Sequence, residues 1–91
     1  MIKGTTKSGF QFSISEEARD DMEILENLAK MSEGHIETVP KTLVALLGEK
    51  QKDKLYDHCR SKSGRVSAKK VMQELQSIFE ESSKASEEIK N

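Results

Sequence analysis

From Ala68 to Phe79 the apolar residues of this chain return on a helical beat. Ala68, Val71, Met72, Leu75, Ile78 and Phe79 stand at i, i+3, i+4, i+7, i+10 and i+11. That register fits one conformation, an amphipathic helix with a single apolar stripe, and Ser67 stands where its N-cap belongs. A helix of this kind must lay its stripe on something. The rest of the chain therefore has to supply a surface for Leu75 and Phe79, both expected in the core.

The opposite end of the chain carries a different period. Phe10, Phe12 and Ile14 alternate with Gln11 and Ser13, which is the pattern of a half-buried strand. Ile2 to Thr6 can pair with it across Lys7-Ser8-Gly9, a three-residue loop with Gly9 in the left-handed position. This pairing sets Ile2, Gly4 and Thr6 opposite Ile14, Phe12 and Phe10. A two-residue Ser8-Gly9 loop would place Lys3 and Lys7 against Ile14 and Phe10 instead, so the hydrophobic pattern selects the first register. An isolated hairpin is barely stable in water, and its Phe face must rest on helices or on another subunit. No third strand is visible in the sequence, which leaves one outer edge unpaired.

Helical patterns fill the space between. Ser13 or Ser15 can cap a first helix, and Ser13 to Glu16 has capping-box spacing. Glu16, Glu17, Asp20 and Asp21 suit the positive end of that helix. Ala18, Met22, Leu25 and Ala29 make its expected apolar stripe, widened by Leu28, and Ser32-Glu33-Gly34 ends it. Pro40 fits the first turn of a second helix with its cap near Thr38. Leu43, Val44, Leu46 and Leu47 make this the most hydrophobic segment, and Gly48 closes it. A third helix runs from about Glu49 to Arg60 with only Leu55, Tyr56 and Cys59 apolar, as expected of a surface helix. Ser61 to Gly64 reads as a turn before the helix at Ser67. Beyond Glu80 the pattern thins into "ESSKASEEIKN", a fraying helix end or mobile tail. The fold class is mainly α: an N-terminal β-hairpin followed by about four helices in a small bundle. Residues 1–80 form a single domain, and 81–91 form an acidic, Ser/Lys-containing C-terminal tail.

The core of such a domain is thin. Hydrophobic residues make up 34% of the chain, with three Phe, one Tyr and no Trp, so partner contacts are expected to complete it. The net charge of −1 hides a strong asymmetry. Residues 1–40 carry four Lys/Arg against eight Asp/Glu, residues 41–70 nine against three, and residues 71–91 two against five. A basic middle between acidic flanks favours head-to-tail self-association first, then an acidic partner, then nucleic acid. The open hairpin edge or the acidic first helix can meet the basic region of a neighbouring copy. The candidate contact residues are Glu17, Asp20 and Asp21 on the acidic side, with Lys50, Lys54, Arg65, Lys69 and Lys70 on the basic side.

Catalytic chemistry finds little footing. His58 and Cys59 are neighbours on a helix and point about 100° apart, and His35 has no ligand spacing to them. Cys59 reads as a small core residue. The pairs Glu16/Glu17, Asp20/Asp21 and Glu80/Glu81 read as solvated helix faces. No glycine loop can cradle a phosphate, and no cofactor, metal or enzymatic activity is expected. Cys59 is the only cysteine, which fits a reducing cytosol. The start "MIKGTTKSGF" lacks an apolar leader and no run has membrane length, so a cytoplasmic protein without membrane contact is expected. One alternative stays open. The stretch 49–79 could be a helix-turn-helix, with Lys69 and Lys70 at base edges and Arg60, Lys62 and Arg65 on phosphates. Two lysines in a first helical turn oppose the helix dipole, which is a mild pointer to function. Against it, the chain is slightly acidic and has no dense Arg cluster.

Taken whole, the order of elements resembles a family of small tail assembly chaperones from long-tailed phages and prophages of Gram-positive bacteria. "TTKSGFQFSISEEARDDMEILENLAKM" is similar to its hairpin with a "KSGF" turn and acidic helix. "LVALLGEKQKDKLYDHC" and "SGRVSAKKVMQELQSIFEE" are similar to its Leu-rich helix ending in "LLG", its following helix, and its "GRV" turn into a final amphipathic helix. The similarity covers about residues 3–81. It implies a non-catalytic protein of the bacterial host cytoplasm that binds the tape measure protein and helps recruit tail tube subunits around it. It also implies a longer version made by ribosomal frameshifting, alongside the homo-oligomer that the charge asymmetry favours. Pro40 and the Ser/Lys-rich ending depart from the family pattern.

Overall fold

A computed structural model of the chain describes the backbone of residues 1–90 and the side chains of residues 1–85. Strands β1 (Ile2–Thr5) and β2 (Gln11–Ile14) are followed by helices α1 (Glu16–Arg19), α2 (Met22–Ser32), α3 (Val39–Leu47), α4 (Glu49–His58) and α5 (Ala68–Lys90). A 3-10 turn, Ile36–Thr38, leads into α3. The fold is mainly helical with an N-terminal antiparallel hairpin, as the two periodicities require.

The hairpin takes the register that its hydrophobic pattern selects: Ile2 opposite Ile14 and Gly4 opposite Phe12. The turn closes with the Thr6 amide donating to the Phe10 carbonyl at 2.8 Å and the Gly9 amide to the Thr6 carbonyl at 3.0 Å. Gly9 has φ +99°, the conformation this loop demands and a side chain resists. Ile2, Thr6, Phe10, Phe12 and Ile14 are all buried on one face. The Phe12 ring lies across Gly4, so closely that a Cβ there would sit 2.7 Å from Cζ. Gly4 is therefore a matter of space.

The first expected helix breaks in two. Ser15, rather than Ser13, caps α1, its hydroxyl accepting from the Ala18 amide at 3.0 Å. After one turn Asp21 starts a second helix, its carboxylate accepting from the amides of Glu23 (2.8 Å) and Ile24 (3.4 Å). The break rotates everything downstream. Ile24 becomes the buried residue of α2, with Leu28 and Met31 beside it. Met22 and Leu25, expected inside, are 65% and 38% exposed, and Ala29 is exposed as well. Because α1 has no helical continuity with α2, Ala18 does not share the stripe of Met22, Leu25 and Ala29, and those three face outward.

α3 and α4 follow their patterns more closely. Pro40 sits in the first turn of α3, where its missing N–H costs nothing. Thr38 occupies the N-cap but spends its hydroxyl on the His35 carbonyl at 3.0 Å, because the 3-10 turn already orders the entry. Val39, Thr42, Leu43, Leu46 and Leu47 face the core. Gly48 joins α3 to α4 with no linker between. The expected surface helix α4 is narrowly amphipathic: Leu55 and the adjoining Cys59 are fully buried while most of its other residues reach solvent.

The turn at Ser61–Gly64 is tighter than a plain connector. The Ser61 amide donates to the Arg65 carbonyl at 2.8 Å, and Arg60 and Val66 form a β-bridge. Ser67 then caps α5, accepting from the Lys70 amide at 3.2 Å. Val71, Leu75 and Ile78 of α5 enter the core. Phe79, expected in the core, is only partly buried, and the Arg19 guanidinium lies 4.1 Å from its ring centre. The helix runs on past Glu80, with Ser82 fully buried and its hydroxyl donating to the Phe79 carbonyl at 2.8 Å. Among the described residues, no helix is long and apolar enough to cross a membrane.

Candidate functional site

Two surfaces on α5 contrast in chemistry. The first is a polar cleft where the hairpin turn meets α5 and the end of α4. Glu74 lies beside the apolar stripe and is 7% exposed. Its carboxylate accepts from the Thr6 hydroxyl at 2.7 Å, and that hydroxyl in turn accepts from the Phe10 amide at 3.0 Å. One helical turn on, the Ser77 hydroxyl accepts from the Lys7 amide at 3.2 Å. The Ser8 hydroxyl and His58 Nε2 stand 2.9 Å apart, and the His58 ring packs on Phe10 at 5.5 Å. The turn is thus tied down by groups that would be costly to leave unpaired.

The same cleft brings together Ser8, His58 and Glu74, which invites comparison with a nucleophile relay. The geometry differs from one. Glu74 Oε1 is 4.0 Å from His58 Nε2, the same nitrogen that Ser8 meets. In a relay the carboxylate holds one ring nitrogen and the nucleophile meets the other. Glu74 instead serves Thr6. Cys59 borders the cleft, and its burial pushes the thiol pKa above the ordinary value; the Glu74 carboxylate adds to the rise and Lys70 opposes it. A thiol held neutral is a weak nucleophile. Among the described residues, no group of three His, Cys, Asp or Glu could hold a metal ion.

The second surface is an apolar groove of about 240 Å³. Ile36, Val39 and Pro40 form one wall, and Tyr56 of α4 lies beside them. Val66, Ala68, Val71 and Met72 form the other. Ile36 is 56% exposed, so the groove is an open surface of the domain rather than a void in its core. Cations border it. Lys52 Nζ lies 5.3 Å over the Tyr56 ring, Arg65 precedes Val66, and Lys69 lies about 60° around α5 from Met72.

The candidate contact residues fall in separate places. Lys50 and Lys54 are exposed one turn apart on α4. Lys69 and Lys70 share the first turn of α5 but diverge by about 100°: Lys70 lines the polar cleft, while Lys69 is exposed on another side of the helix. Arg65 is exposed in the bridged turn. Glu17 is exposed on α1 and Asp20 ends that helix, whereas the Asp21 carboxylate is engaged as the cap of α2. The chain from Cys59 to Ser67 folds into a bridged turn, longer than the three- to four-residue turn of roughly perpendicular DNA-reading helices.

Sequence reasoning passed over Gln51, whose amide closes the outer edge of β2. Its Nε2 donates to the Ser13 carbonyl at 2.6 Å and its Oε1 accepts from the Ser13 amide at 2.8 Å. Nothing local in "EKQKDKL" signals this role. Glu74 did leave a trace, as a carboxylate adjoining Leu75 at the border of the apolar stripe.

No protein-family model, curated protein or solved structure matches the chain.

Proposed function

We propose that this chain is a non-catalytic tail assembly chaperone. It binds the tape measure protein in the host cytoplasm and helps bring tail tube subunits to it. The resemblance over residues 3–81 suggests the role, and the order of hairpin and helices agrees with it. The observation that carries the reading is the open apolar groove, with Lys52 over its Tyr56 ring. An amphipathic client helix offers anchors at i, i+3, i+4 and i+7, and such a groove takes them one or two at a time. The groove is small and open, so each contact is weak. Many copies along a long helical client gain strength by avidity and still release when the tube closes. A longer frameshifted version carrying the same domain would keep the same groove. No membrane, nucleic acid or cofactor takes part.

The test is co-expression with a tape measure protein of a long-tailed phage of Gram-positive bacteria, taken from the genome that encodes this chain. The wild-type chain should raise the soluble fraction of the client and co-purify with it. Ile36→Asp, at an exposed position in the groove, should fold and fail at both. A client equally soluble without the chain, or captured equally by Ile36→Asp, would contradict the proposal.

A further inference from the structure

Exposed large apolar side chains are few. Among the described residues they are Met1, Met22, Leu25 and Ile36. Ile36 belongs to the groove. Met22 and Leu25 stand together on α2, with exposed Ala29 one turn further on. At about 100° per residue, these three share a stripe more than 100° from the face of Ile24, Leu28 and Met31. α2 is therefore apolar on two sides, and only one of them is used inside the domain.

Charge matches the outer stripe to the groove. Glu26 and Glu33 lie along one side of the stripe, with the exposed Lys30 beyond them, and none of the three has an ion-pair partner among the described residues. Arg65 and Lys69, which adjoin the groove residues Val66 and Ala68 in sequence, have none either among the described residues. At about 240 Å³ the groove falls below the roughly 300–1,000 Å³ of small-molecule pockets, and suits one or two apolar side chains. The chain cannot satisfy the groove with its own stripe. Turning α2 outward-face-in would expose Ile24, Leu28 and Met31 to water.

We infer that the outer stripe of α2, Met22 and Leu25, seats in the apolar groove of a second copy of this chain, with Glu26 and Glu33 facing Arg65 and Lys69. The two surfaces are different, so the contact is heterologous. Each bound pair keeps one free groove and one free stripe, and further copies can add. The contact needs no client. It also places one copy's helix where a client helix would bind, so self-association and client capture compete.

The test uses sedimentation equilibrium over a concentration series. Wild-type mass should rise with concentration and fall back at high salt, because the flanking charges are screened within about 8–10 Å at ordinary ionic strength. Ala68→Glu places an acid inside the groove at a helix N-terminus that tolerates it. Met22→Gln with Leu25→Gln removes the stripe with good helix formers. Each variant alone should be monomeric, with association weakened at least tenfold. An equimolar mixture should recover a dimer and stop there, since one member brings the only stripe and the other the only groove. Ile36→Asp provides a second groove variant and should behave as Ala68→Glu does; circular dichroism confirms that each is folded. A wild type that stays monomeric at high concentration and low salt overturns the inference. So does a mixture of folded variants that remains monomeric. Client capture by a monomeric wild type would overturn this contact and leave the chaperone reading standing.

Discussion

The hairpin turn and the apolar groove lie on different sides of α5 and are finished in opposite ways. At the turn every polar group that approaches the core is met: Thr6 by Glu74, the Lys7 amide by Ser77, the Phe10 amide by Thr6. The groove has apolar walls and an exposed Ile36, and Lys52 over its Tyr56 is already paired with Glu49 and Asp53. The difference teaches where the small apolar content of this chain is spent. The hairpin uses two Phe, two Ile and a set of hydrogen bonds to seal one side of α5. The other side is left to Tyr56, Val66 and Met72, which cover it only in part. One surface is therefore sealed within the domain and the other stays open to solvent.

The largest expected effect comes from the sealed side. Phe12→Ala removes a ring that is 3% exposed and covers Gly4, and should cost about 3–5 kcal/mol of stability, read from the denaturant midpoint. For a domain this small that is a large share of the total. An unchanged midpoint would mean that the hairpin is not part of the core.

Next in size is Glu74. Glu74→Ala deprives the buried Thr6 hydroxyl of its acceptor and should cost roughly 1–3 kcal/mol, while Glu74→Gln, which still offers an oxygen, should cost less. Equal losses would show that the carboxylate acts through its charge and not as an acceptor for Thr6. Groove substitutions should be smaller still. Ile36→Asp should move stability by no more than about 0.5 kcal/mol, the range of ordinary surface changes. A loss as large as that of Phe12→Ala would place the groove in the core and erase the contrast.

A subtler test uses Cys59, which borders the sealed cleft. Burial raises its thiol pKa in the folded state. Its contribution to stability is therefore intact below the ordinary thiol value of 9.0 and is lost as pH rises through the folded value. Wild type should lose stability on the alkaline side relative to its own neutral value, and Cys59→Ala should lose less. Parallel pH profiles for the two proteins would contradict the burial of this thiol.

Much of the sealed side was legible in the sequence, and the open side was not. Alternation at Phe10, Phe12 and Ile14, with Gly9 in the loop, fixes a register because a one-residue slip would turn lysines inward. The stripe of α5 is legible for the same reason, a period held over many residues. The split at Asp20-Asp21 was missed because two acids near a helix start read as partners of its dipole. Asp21 in fact begins a second helix, and one such break rotates Met22 and Leu25 from inside to outside. The groove could not be read locally, since Ile36, Tyr56, Val66 and Met72 come from four separate segments. Gln51 is similar: an amide that closes a strand edge looks like any exposed glutamine until the strand is beside it.

Amide hydrogen exchange, measured on wild-type protein at low and at high concentration, tests the contrast most directly. The amides of Thr6, Lys7, Phe10 and Ser13 are bonded within the domain, and their exchange should be slow and the same at both concentrations. Added protection at high concentration should appear on α2 around Met22 and Leu25 and on the groove around Ile36 and Val66 to Met72. Protection gained at the hairpin turn instead, with none at the groove, would contradict the account.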